Sequence, residues 1–320
     1  MGVAEAILGH SGELKGRGVR IEVVAVVDSR SAAVGERGLR IGGLVARKRS
    51  TGRVGDLEMG ALEAIREVDC DAVVEVTPAN PRGGEPALSH MEAALRLSKH
   101  VVTANKVPLA IRYGPLVRLS EKKGARLLFG ACVGGGLPVL EFGRLLSLTE
   151  PVLGIEGVLN ATTNFVLTKM GEGGTSYSAA LAEAQRLGFA ETDPTLDVNG
   201  FDAACKLVIL ANHVMGRRLT LGDVGCRGIE GVTPDAVATA AARGRAIRLV
   251  ARTVDGISVS PVEVDARSPL NVPGASHAVV FRCRDSGERV ISGAGAGPGT
   301  TAGAVLRDLL TLAELERTTR

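Results

Sequence analysis

Short apolar runs alternate with helix-like segments through the first part of the chain. The apolar runs are Arg20–Asp28, Asp71–Val76, Val101–Thr103 and Arg126–Phe129. Runs of this length, bounded by polar residues, are typical of buried strands. Segments with helical character separate them at Met59–Val68, Pro86–Leu97 and Pro115–Lys123. Strands that alternate with helices predict βαβ units and a parallel sheet.

The pattern changes at Gly154. Strands are predicted at Gly154–Leu159, Ile257–Val264, His277–Cys283 and Arg289–Ser292, and helices at Ala161–Met170, Ser176–Leu187, Phe201–Met215, Pro234–Val250 and Thr300–Leu315. This mixture is typical of an α+β domain that follows an α/β domain.

The start of the chain lacks one expected element. A dinucleotide-binding sheet normally opens with a strand and a G-x-G-x-x-G turn. The chain instead begins with Met1-Gly2-Val3, in a segment typical of the helix that follows such a turn. We expect the missing strand and turn to be encoded upstream, and Gly2 and Val3 to border the cofactor pyrophosphate. The alternative is a real truncation that weakens cofactor binding.

Composition excludes several classes of protein. The 320 residues are 45% hydrophobic and 23% charged, as in ordinary soluble enzymes. Trp is absent and aromatic residues make up 2%, so stacking platforms for nucleic acid are not expected. The net charge of +3 is also too small for nucleic-acid binding. Scattered cysteines, no apolar run of membrane-spanning length and no signal peptide predict a cytoplasmic protein without membrane contact.

An acid-rich segment precedes a predicted buried helix. It contains the carboxylates Glu191, Asp193, Asp197 and Asp202, and it ends at Lys206. Asp202 and Lys206 are four residues apart and share one face of a helix. A surface ion pair there would contribute only about 0.3–0.5 kcal/mol, so a pocket wall is a better interpretation than a stabilising pair. Such a pocket suits a small substrate that carries an ammonium group and a protonatable oxygen. The alternative is a structural lysine that tethers an acidic loop.

Several segments together resemble the homoserine dehydrogenase family. They are VVTANKVPLA (Val101–Ala110), VGGGLP (Val133–Pro138), GVLNATTNF (Gly157–Phe165), AETDP (Ala190–Pro194), GFDAACK (Gly200–Lys206) and GAGAG (Gly293–Gly297). The resemblance extends from Gly2 to the last helix. It implies an α/β fold with a Rossmann-type dinucleotide-binding domain over residues 1–137, completed by 294–320. An α+β catalytic and dimerisation domain would span residues 138–293.

The resemblance also implies an activity. Family members interconvert L-homoserine and L-aspartate 4-semialdehyde with NAD or NADP in amino-acid biosynthesis, usually as homodimers. One alternative is an oxidoreductase for another amino acid or a sugar, although the acidic pocket argues against a sugar. Another is a catalytically impaired homologue that binds small molecules because the phosphate-binding turn is absent.

Three residues are assigned to proton transfer by this resemblance. Lys206 matches the proposed proton donor, and Asp202 would orient it or the substrate oxygen. Lys106 follows a strand whose carboxyl end should face ligands. It resembles a lysine that contacts the cofactor and shares in proton transfer. A solvated loop lysine is the simpler alternative for Lys106.

The remaining acids are assigned to the substrate. Glu191 and Asp197 would hold its ammonium group, with Thr162 nearby. Asp193 precedes Pro194, so it either contacts substrate or only closes a turn.

Cofactor contacts are expected at strand ends and glycine turns. The resemblance points to Thr77, Pro78, Thr103, Asn105 and Gly297. Asp28, at a strand end, favours NAD because it can accept a hydrogen bond from the ribose 2′-hydroxyl. The basic residues Arg30, Arg47, Lys48 and Arg49 favour NADP if they bind its 2′-phosphate, but they also fit a solvated face. NADP is the common cofactor of the family.

Two positions depart from the family pattern. Gly130 lies where a glutamate often helps to hold a monovalent cation. A sodium ion would then depend on the carbonyls of Val133, Gly135 and Leu137, which bind weakly without a carboxylate. His277 lies where asparagine is usual, and the sequence offers no explanation for it.

Overall fold

The computed structural model describes residues 1–295 and 299–319. The helices are α1 (Gly2–Gly9), α2 (Ser11–Gly16), α3 (Ile41–Thr51), α4 (Ala61–Glu67), α5 (Ala87–Arg96), α6 (Lys106–Lys123), α7 (Val139–Ser147), α8 (Ala161–Gly171), α9 (Tyr177–Arg186), α10 (Thr195–Val198), α11 (Phe201–Met215), α12 (Pro234–Ala242) and α13 (Thr300–Thr319). The strands are β1 (Ala25–Val27), β2 (Ala32–Val34), β3 (Ala72–Glu75), β4 (His100–Thr103), β5 (Leu127–Leu128), β6 (Val152–Val158), β7 (Gly225–Cys226), β8 (Arg245–Arg252), β9 (Ser258–Asp265), β10 (Ser276–Cys283) and β11 (Gly287–Ala294).

The chain divides into two compact units. The first unit contains Met1–Pro108, Gly114–Ala131 and helix α13 from Thr301 onwards. The second contains Leu109–Tyr113 and the described residues from Cys132 to Thr300. This division is based only on how the residues pack together. The functional division into residues 1–137 with 294–320 and residues 138–293 stays a prediction.

The first unit contains the predicted parallel sheet, in the order β3-β4-β5. Helix α5 packs on β3 and β4. Its buried residues are Ala87, His90, Met91, Ala94 and Leu95, which recur at the three- and four-residue spacing of one helical face. This βαβ arrangement confirms the α/β interpretation of this part of the sequence.

The predicted strand at Arg20–Asp28 is shorter than expected. Only Ala25–Val27 forms a strand, and it pairs antiparallel with β2. The residues before it lack a ladder partner in the described part of the chain. Their apolar side chains, including Val19, Ile21 and Val23, pack against a core to which helices α1, α2 and α13 and strand β4 contribute. Packing therefore determines the path of this segment, and a continuous strand ladder does not form.

The second unit is built on a six-stranded mixed sheet in the order β11-β10-β6-β8-β9-β7. Strand β7 pairs parallel with β9, and the other neighbours are antiparallel. Helix α8 contacts β8 and β10, and α11 contacts β6 and β8. Almost every residue of α8 is buried, which places the segment after Asn160 in the core of this unit.

One predicted helix is wrong in its second half. The segment Pro234–Val250 forms helix α12 only to Ala242 and then enters strand β8. Gly244 adopts the left-handed region (φ +71°), which a helix interior excludes. The apolar run that follows is buried as a strand and pairs with β9 along its whole length. Periodicity alone does not separate a buried strand from a buried helix segment.

The structure also lengthens or adds helices. Helix α6 begins at Lys106, well before the predicted start at Pro115, with non-helical backbone at Arg112. A proline disfavours helical backbone in the residues before it, which explains a kink at this place. Helices α3 and α7 were not predicted. In residues 1–295 and 299–319, no helix is both long and apolar enough to cross a membrane.

A glycine in the second unit tests this packing. A Cβ on Gly228 would lie 2.2 Å from the Val198 carbonyl oxygen at the end of α10. We expect Gly228→Ala to lower the free energy of unfolding by about 1–3 kcal/mol, because backbone must move. Gly231→Ala, where a Cβ would meet nothing within 4 Å, is the matched control. Chemical denaturation of both variants measures the difference, and equal stabilities would contradict the packing described.

Candidate active site

Lys206 forms a buried ion pair with Asp202 on helix α11. Its Nζ donates to Asp202 Oδ2 at 2.6 Å and to the Leu159 carbonyl oxygen at 2.6 Å. The Lys206 and Asp202 side chains are only 11% and 14% exposed. The predicted four-residue spacing on one helical face is therefore present, and the pair lies in the interior of the unit. An ordinary surface ion pair would be far more exposed.

A sharp turn brings Asp197 close to this pair. Asp197 lies on the single-turn helix α10, and Gly200 separates α10 from α11. Gly200 has φ +88°, and a Cβ there would also lie 2.9 Å from Cys226 Sγ. Only glycine satisfies both the left-handed backbone and the close approach. The turn reverses the chain so that both carboxylates can meet the same neighbour.

That neighbour is Asn160, the N-cap residue of helix α8. Its Oδ1 accepts from the Thr163 amide at 2.9 Å, which caps the helix. Its Nδ2 donates to Asp197 Oδ1 at 2.7 Å and to Asp202 Oδ2 at 2.9 Å. Asn160 thus joins the carboxylates of α10 and α11. It was absent from the predicted site, although it lies within the motif that carried the family resemblance.

Thr162 completes the surroundings of Asp197. Its hydroxyl lies 2.9 Å from Asp197 Oδ2 and 2.6 Å from the Phe189 carbonyl oxygen. A hydroxyl has one proton, so it donates to one of these oxygens at a time. Burial raises the pKa of Asp197 above its usual value, and the nearby charge of Asp202 raises it further. Hydrogen bonds from Thr162 and Asn160 and the charge of Lys206 oppose this increase.

We call Asn160, Thr162, Asp197, Asp202 and Lys206 the lysine–carboxylate cluster. In its ionised form the cluster contains two carboxylates and one ammonium group, so negative charge is in excess by one. A buried excess charge is costly unless a partner neutralises it. The cluster is therefore suited to binding a small cation.

Two of the predicted substrate residues lie outside this cluster. Glu191 and Asp193 are both exposed. Asp193 Oδ1 accepts from the Thr195 amide at 3.1 Å, which closes the turn before α10. The Glu191 carbonyl accepts from Gln185 Nε2 at 3.1 Å, while its carboxylate has no hydrogen bond or ion pair within the described residues.

His277 on strand β10 is almost fully buried, with 2% exposure. Neither ring nitrogen has a hydrogen-bond partner among the described residues. Ala278 pairs with Val158, so His277 lies beside Leu159, whose carbonyl accepts from Lys206. A Cβ on Gly295 would lie 2.1 Å from the imidazole ring, which shows how closely that backbone approaches. Burial, followed by the charge of Lys206, lowers the pKa of His277 to about 3.

The structure places several predicted cofactor residues at strand ends of the first unit. Thr103 ends β4, where its Oγ1 accepts from the Asn105 amide at 2.9 Å. Asn105 Nδ2 donates to the Thr77 carbonyl at 3.3 Å, while Asn105 Oδ1 is buried without a partner in the described chain. Pro78 is exposed beside Thr77. The unpaired Asn105 oxygen fits a hydrogen-bond donor on a bound cofactor.

The other predicted cofactor residues are less informative. Gly2 and Val3 begin helix α1. Lys106 is the first residue of α6 and belongs to the first unit, whereas Lys206 belongs to the second. Gly297 lies outside the described residues.

Asp28, which follows strand β1, forms an ion pair with Lys48 of helix α3. Its carboxylate accepts from Lys48 Nζ at 2.6 Å and from the Arg30 amide at 2.8 Å. Partial burial raises the pKa of Asp28, but these hydrogen bonds outweigh it and hold the pKa below its usual value. Arg47 pairs with Asp56, and Arg49 pairs with Glu5. The exposed Arg30 guanidinium makes no ion pair with any described residue.

Comparisons with known proteins identify the family of this chain. A family model for the NAD-binding domain of homoserine dehydrogenase matches residues 2–130, and a homoserine dehydrogenase model matches residues 138–310. A homoserine dehydrogenase of Methanocaldococcus jannaschii is 41% identical over 97% of this chain and 94% of its own length. An NAD(+)-dependent homoserine dehydrogenase of Pseudomonas canavaninivorans is 37% identical over 92% of this chain and 87% of its own.

A solved structure shows the same fold. It is a hyperthermophilic archaeal homoserine dehydrogenase in complex with NADPH, with a TM-score of 0.83 and 30% identity. The similarity covers 97% of this chain and 92% of that one.

The NAD-binding and homoserine dehydrogenase domain models define the class of the chain, an NAD(P)-dependent oxidoreductase. The identity of 41% over nearly the whole chain makes the assignment more specific. The chain belongs to the homoserine dehydrogenase family.

The buried His277 has a consequence for stability at acidic pH. Between its usual pKa of 6.5 and its folded value of about 3, the unfolded chain binds a proton that the native chain does not. Stability therefore decreases as pH falls through this window, by about 2 kcal/mol at pH 5 for this one group. Burial also lowers the pKa of His213 to about 4, and this histidine adds a similar loss of stability. Because His213 is present both in the unmodified chain and in the variant proposed next, its contribution cancels when the two are compared.

We expect His277→Asn to remove this contribution. In the variant, the difference in free energy of unfolding between pH 7 and pH 5 should be about 2 kcal/mol smaller than in the unmodified chain. Denaturant titrations at both values of pH measure it. His10→Asn, the same substitution at an exposed histidine, is the control. An unchanged difference in His277→Asn would show that His277 is not held neutral.

Proposed function

We propose that this chain interconverts L-homoserine and L-aspartate 4-semialdehyde with NAD(P). The observation that carries the proposal is the lysine–carboxylate cluster, which combines a proton-bearing amine with an excess of negative charge. Homoserine has both features that such a cluster would bind, an ammonium group and a hydroxyl that loses its proton on oxidation. When bound, NAD(P) supplies the acceptor or donor of the hydride.

Lys206 is proposed to exchange the proton with the substrate oxygen. Its ammonium group has three N–H bonds, of which Leu159 and Asp202 accept two. Within the described residues no third acceptor is present, and we assign this N–H to a substrate oxygen. In the direction of semialdehyde reduction the Lys206 ammonium group donates this proton and becomes a neutral amine, and in the reverse direction the neutral amine accepts the proton of the substrate hydroxyl. Asp202 acts by orienting the amine and balancing its charge.

Asp197 is proposed to hold the substrate ammonium, with Thr162 supporting its carboxylate. An added ammonium group would neutralise the charge that two neighbouring carboxylates leave unbalanced, which favours amino-acid substrates over sugars. Glu191, whose carboxylate is exposed, is proposed to contribute on ligand binding. For Asp193, the hydrogen bond to Thr195 supports the turn-closing role over substrate contact.

The proposed cofactor contacts lie in the first unit. Thr77, Pro78, Thr103 and Asn105 would face the nicotinamide half, and the buried Asn105 oxygen supports this because it needs a donor. Lys106 would contact the same half of the cofactor. Gly2 and Val3, at the start of α1, would lie near the pyrophosphate, since helix N-termini favour anions. Gly297 remains an expectation from the family resemblance.

NADP is the cofactor favoured by the charges around Asp28. The names of two relatives point to different cofactors, because one is called NAD(+)-dependent and the other was solved in complex with NADPH. In this chain Lys48 already neutralises Asp28, which reduces its repulsion of a 2′-phosphate. The exposed Arg30 is then available to pair with that phosphate.

We propose that a sodium ion at its expected position would be bound weakly. Leu137 O already accepts from the Val139 amide at 2.9 Å, and Gly130 offers no carboxylate beside the carbonyls of Val133 and Gly135. Within residues 1–295 and 299–319, no group of three His, Cys, Asp or Glu side chains could hold a metal.

A homodimer is proposed on the family resemblance and on exposed apolar residues of the second unit. Leu145 and Leu148, in and after α7, are 63% and 62% exposed, and Leu153 on β6 is 59% exposed. Large exposed apolar side chains of this kind are common at subunit interfaces.

Substitutions of Lys206 test the reaction. We expect Lys206→Ala to lower kcat for NADPH-dependent reduction of aspartate semialdehyde by about 10²- to 10⁴-fold, the usual contribution of a proton donor. Lys206→Arg should retain the charge and the fold but also lose activity, because guanidinium does not release its proton at neutral pH. Lys122→Ala, in the exposed last turn of α6, is the control. Near-full kcat in both Lys206 variants would refute the assignment.

Substitution of Arg30 tests the cofactor preference. We expect Arg30→Gln to raise the KM for NADPH by about three- to tenfold, since an exposed charged contact contributes on the order of 1 kcal/mol. The KM for NADH should stay nearly constant because NADH lacks the 2′-phosphate. Arg186→Gln, at an arginine in the last turn of α9, is the control. Equal changes for both cofactors would contradict the role proposed for Arg30.

A further inference from the structure

Glu75 is a buried carboxylate at the end of strand β3, with 3% exposure. Its Oε1 accepts from the Thr77 amide at 2.8 Å and from the Thr77 hydroxyl in a second, short hydrogen bond. Its Oε2 lies 2.6 Å from His90 Nδ1. Neither Glu75 nor His90 was singled out from the sequence.

Helix α5 holds His90 in place. His90 is 6% exposed and lies on the face of α5 that packs on β3 and β4. With Glu75 Oε2 as the acceptor, His90 Nδ1 is the donor of this contact. Packing thus fixes His90, and His90 fixes one oxygen of Glu75. The other oxygen is left to Thr77.

The arrangement determines the polarity of the Thr77 hydroxyl. A hydroxyl has one proton and two lone pairs, and Thr77 donates its proton to Glu75. Thr77 therefore presents only acceptor lone pairs to any other group. Thr77 is half-buried, so a ligand can approach it.

The same hydrogen bonds connect the ends of β3 and β4. Thr103 Oγ1 donates to the Glu75 carbonyl at 3.2 Å, and Asn105 Nδ2 donates to the Thr77 carbonyl at 3.3 Å. Asn105 leaves a buried oxygen without a partner among the residues described, which is a second acceptor at this edge of the sheet. The edge is thus built to accept hydrogen bonds.

Stability alone is a weak reason for a buried acid–imidazole pair. Well-packed apolar residues of similar volume often stabilise a protein as much as a buried polar pair does. Such pairs are more informative when they hold a neighbouring group in one orientation, as a histidine or carboxylate does behind a ligand-binding residue.

We propose that Glu75 and His90 are positioning residues that fix the Thr77 hydroxyl as an acceptor for a donor on the nicotinamide half of NAD(P). The donor is a ribose hydroxyl or the carboxamide NH₂. This inference rests on the proposed function for the identity of the cofactor. It concerns cofactor binding, however, and does not need turnover for its test.

The test compares two ligands that share one half. NADPH carries the nicotinamide, and 2′,5′-ADP carries only the adenosine half with its 2′-phosphate. Calorimetry measures the Kd of each for the full chain and for His90→Leu. We expect His90→Leu to raise the Kd for NADPH by about five- to tenfold, which corresponds to the loss of one well-placed hydrogen bond. The Kd for 2′,5′-ADP should stay within about twofold, since the adenosine half does not touch Thr77.

Two further variants separate positioning from general structural damage. His90→Asn keeps an N–H donor near the place of Nδ1 and should restore most of the NADPH affinity. Thr77→Val keeps the shape of the side chain but removes the hydroxyl, so it should weaken the binding of NADPH and not that of 2′,5′-ADP. In the double variant, His90→Leu should cause little further loss, because the hydroxyl that His90 helps to position is already absent. Glu92→Gln, which removes a charge from an ion pair with Arg96 on the same helix, is the control.

Several outcomes would overturn the inference. These are an unchanged NADPH affinity in His90→Leu or Thr77→Val, an equal loss for NADPH and 2′,5′-ADP, and additive effects in the double variant. If His90→Leu does not fold, Glu75→Gln replaces it in both comparisons, because it removes the carboxylate that accepts from the Thr77 hydroxyl while keeping the size of the side chain. Absence of semialdehyde reduction by the unmodified chain would count against the proposed function and leave this binding test intact.

Discussion

The site depends on an imbalance of charge around one lysine. The Lys206 amine lies between Asp202 and a main-chain carbonyl, and Asn160 links Asp202 to the second carboxylate, Asp197. Two carboxylates share one ammonium group in a largely buried place, where charges interact more strongly than in water. Asn160 and Thr162 reduce the cost with hydrogen bonds but do not supply a positive charge. A ligand with an ammonium group would supply it, and the proposal of an amino acid as substrate rests on this imbalance.

The fold supports this arrangement with few elements. Helix α8 begins at Asn160, so one side chain both caps the helix and binds the carboxylates. The left-handed Gly200 lets α10 and α11 follow each other without a loop between them. The first unit uses a related device, because the buried pair of Glu75 and His90 orients Thr77 at the end of a strand. In both units a polar side chain with a proposed role in ligand binding is held by hydrogen bonds to a more deeply buried one.

Much of this was predictable from sequence, and the limits have physical causes. The parallel strands, α11 and the pairing of Asp202 with Lys206 follow from local apolar runs and from spacing along one helix. Strand β8 was mistaken for helix because a buried strand has no distinctive periodicity, and β1 was predicted too long because ladder partners are not visible locally. Asn160, Glu75 and His90 were missed because their importance lies in contacts between residues distant in sequence. Glu191 and Asp197 were both predicted to hold the substrate ammonium group, but only Asp197 lies in the lysine–carboxylate cluster.

The charge account is tested most directly by the affinity of the chain for two ligands that differ in one group. Calorimetry should compare L-homoserine with 4-hydroxybutanoate, which lacks the ammonium group, in the unmodified chain and in Asp197→Asn. The account predicts a clear preference for homoserine in the unmodified chain, of about tenfold or more, and a much smaller preference in Asp197→Asn. The same preference in both proteins, or none in the unmodified chain, would contradict it.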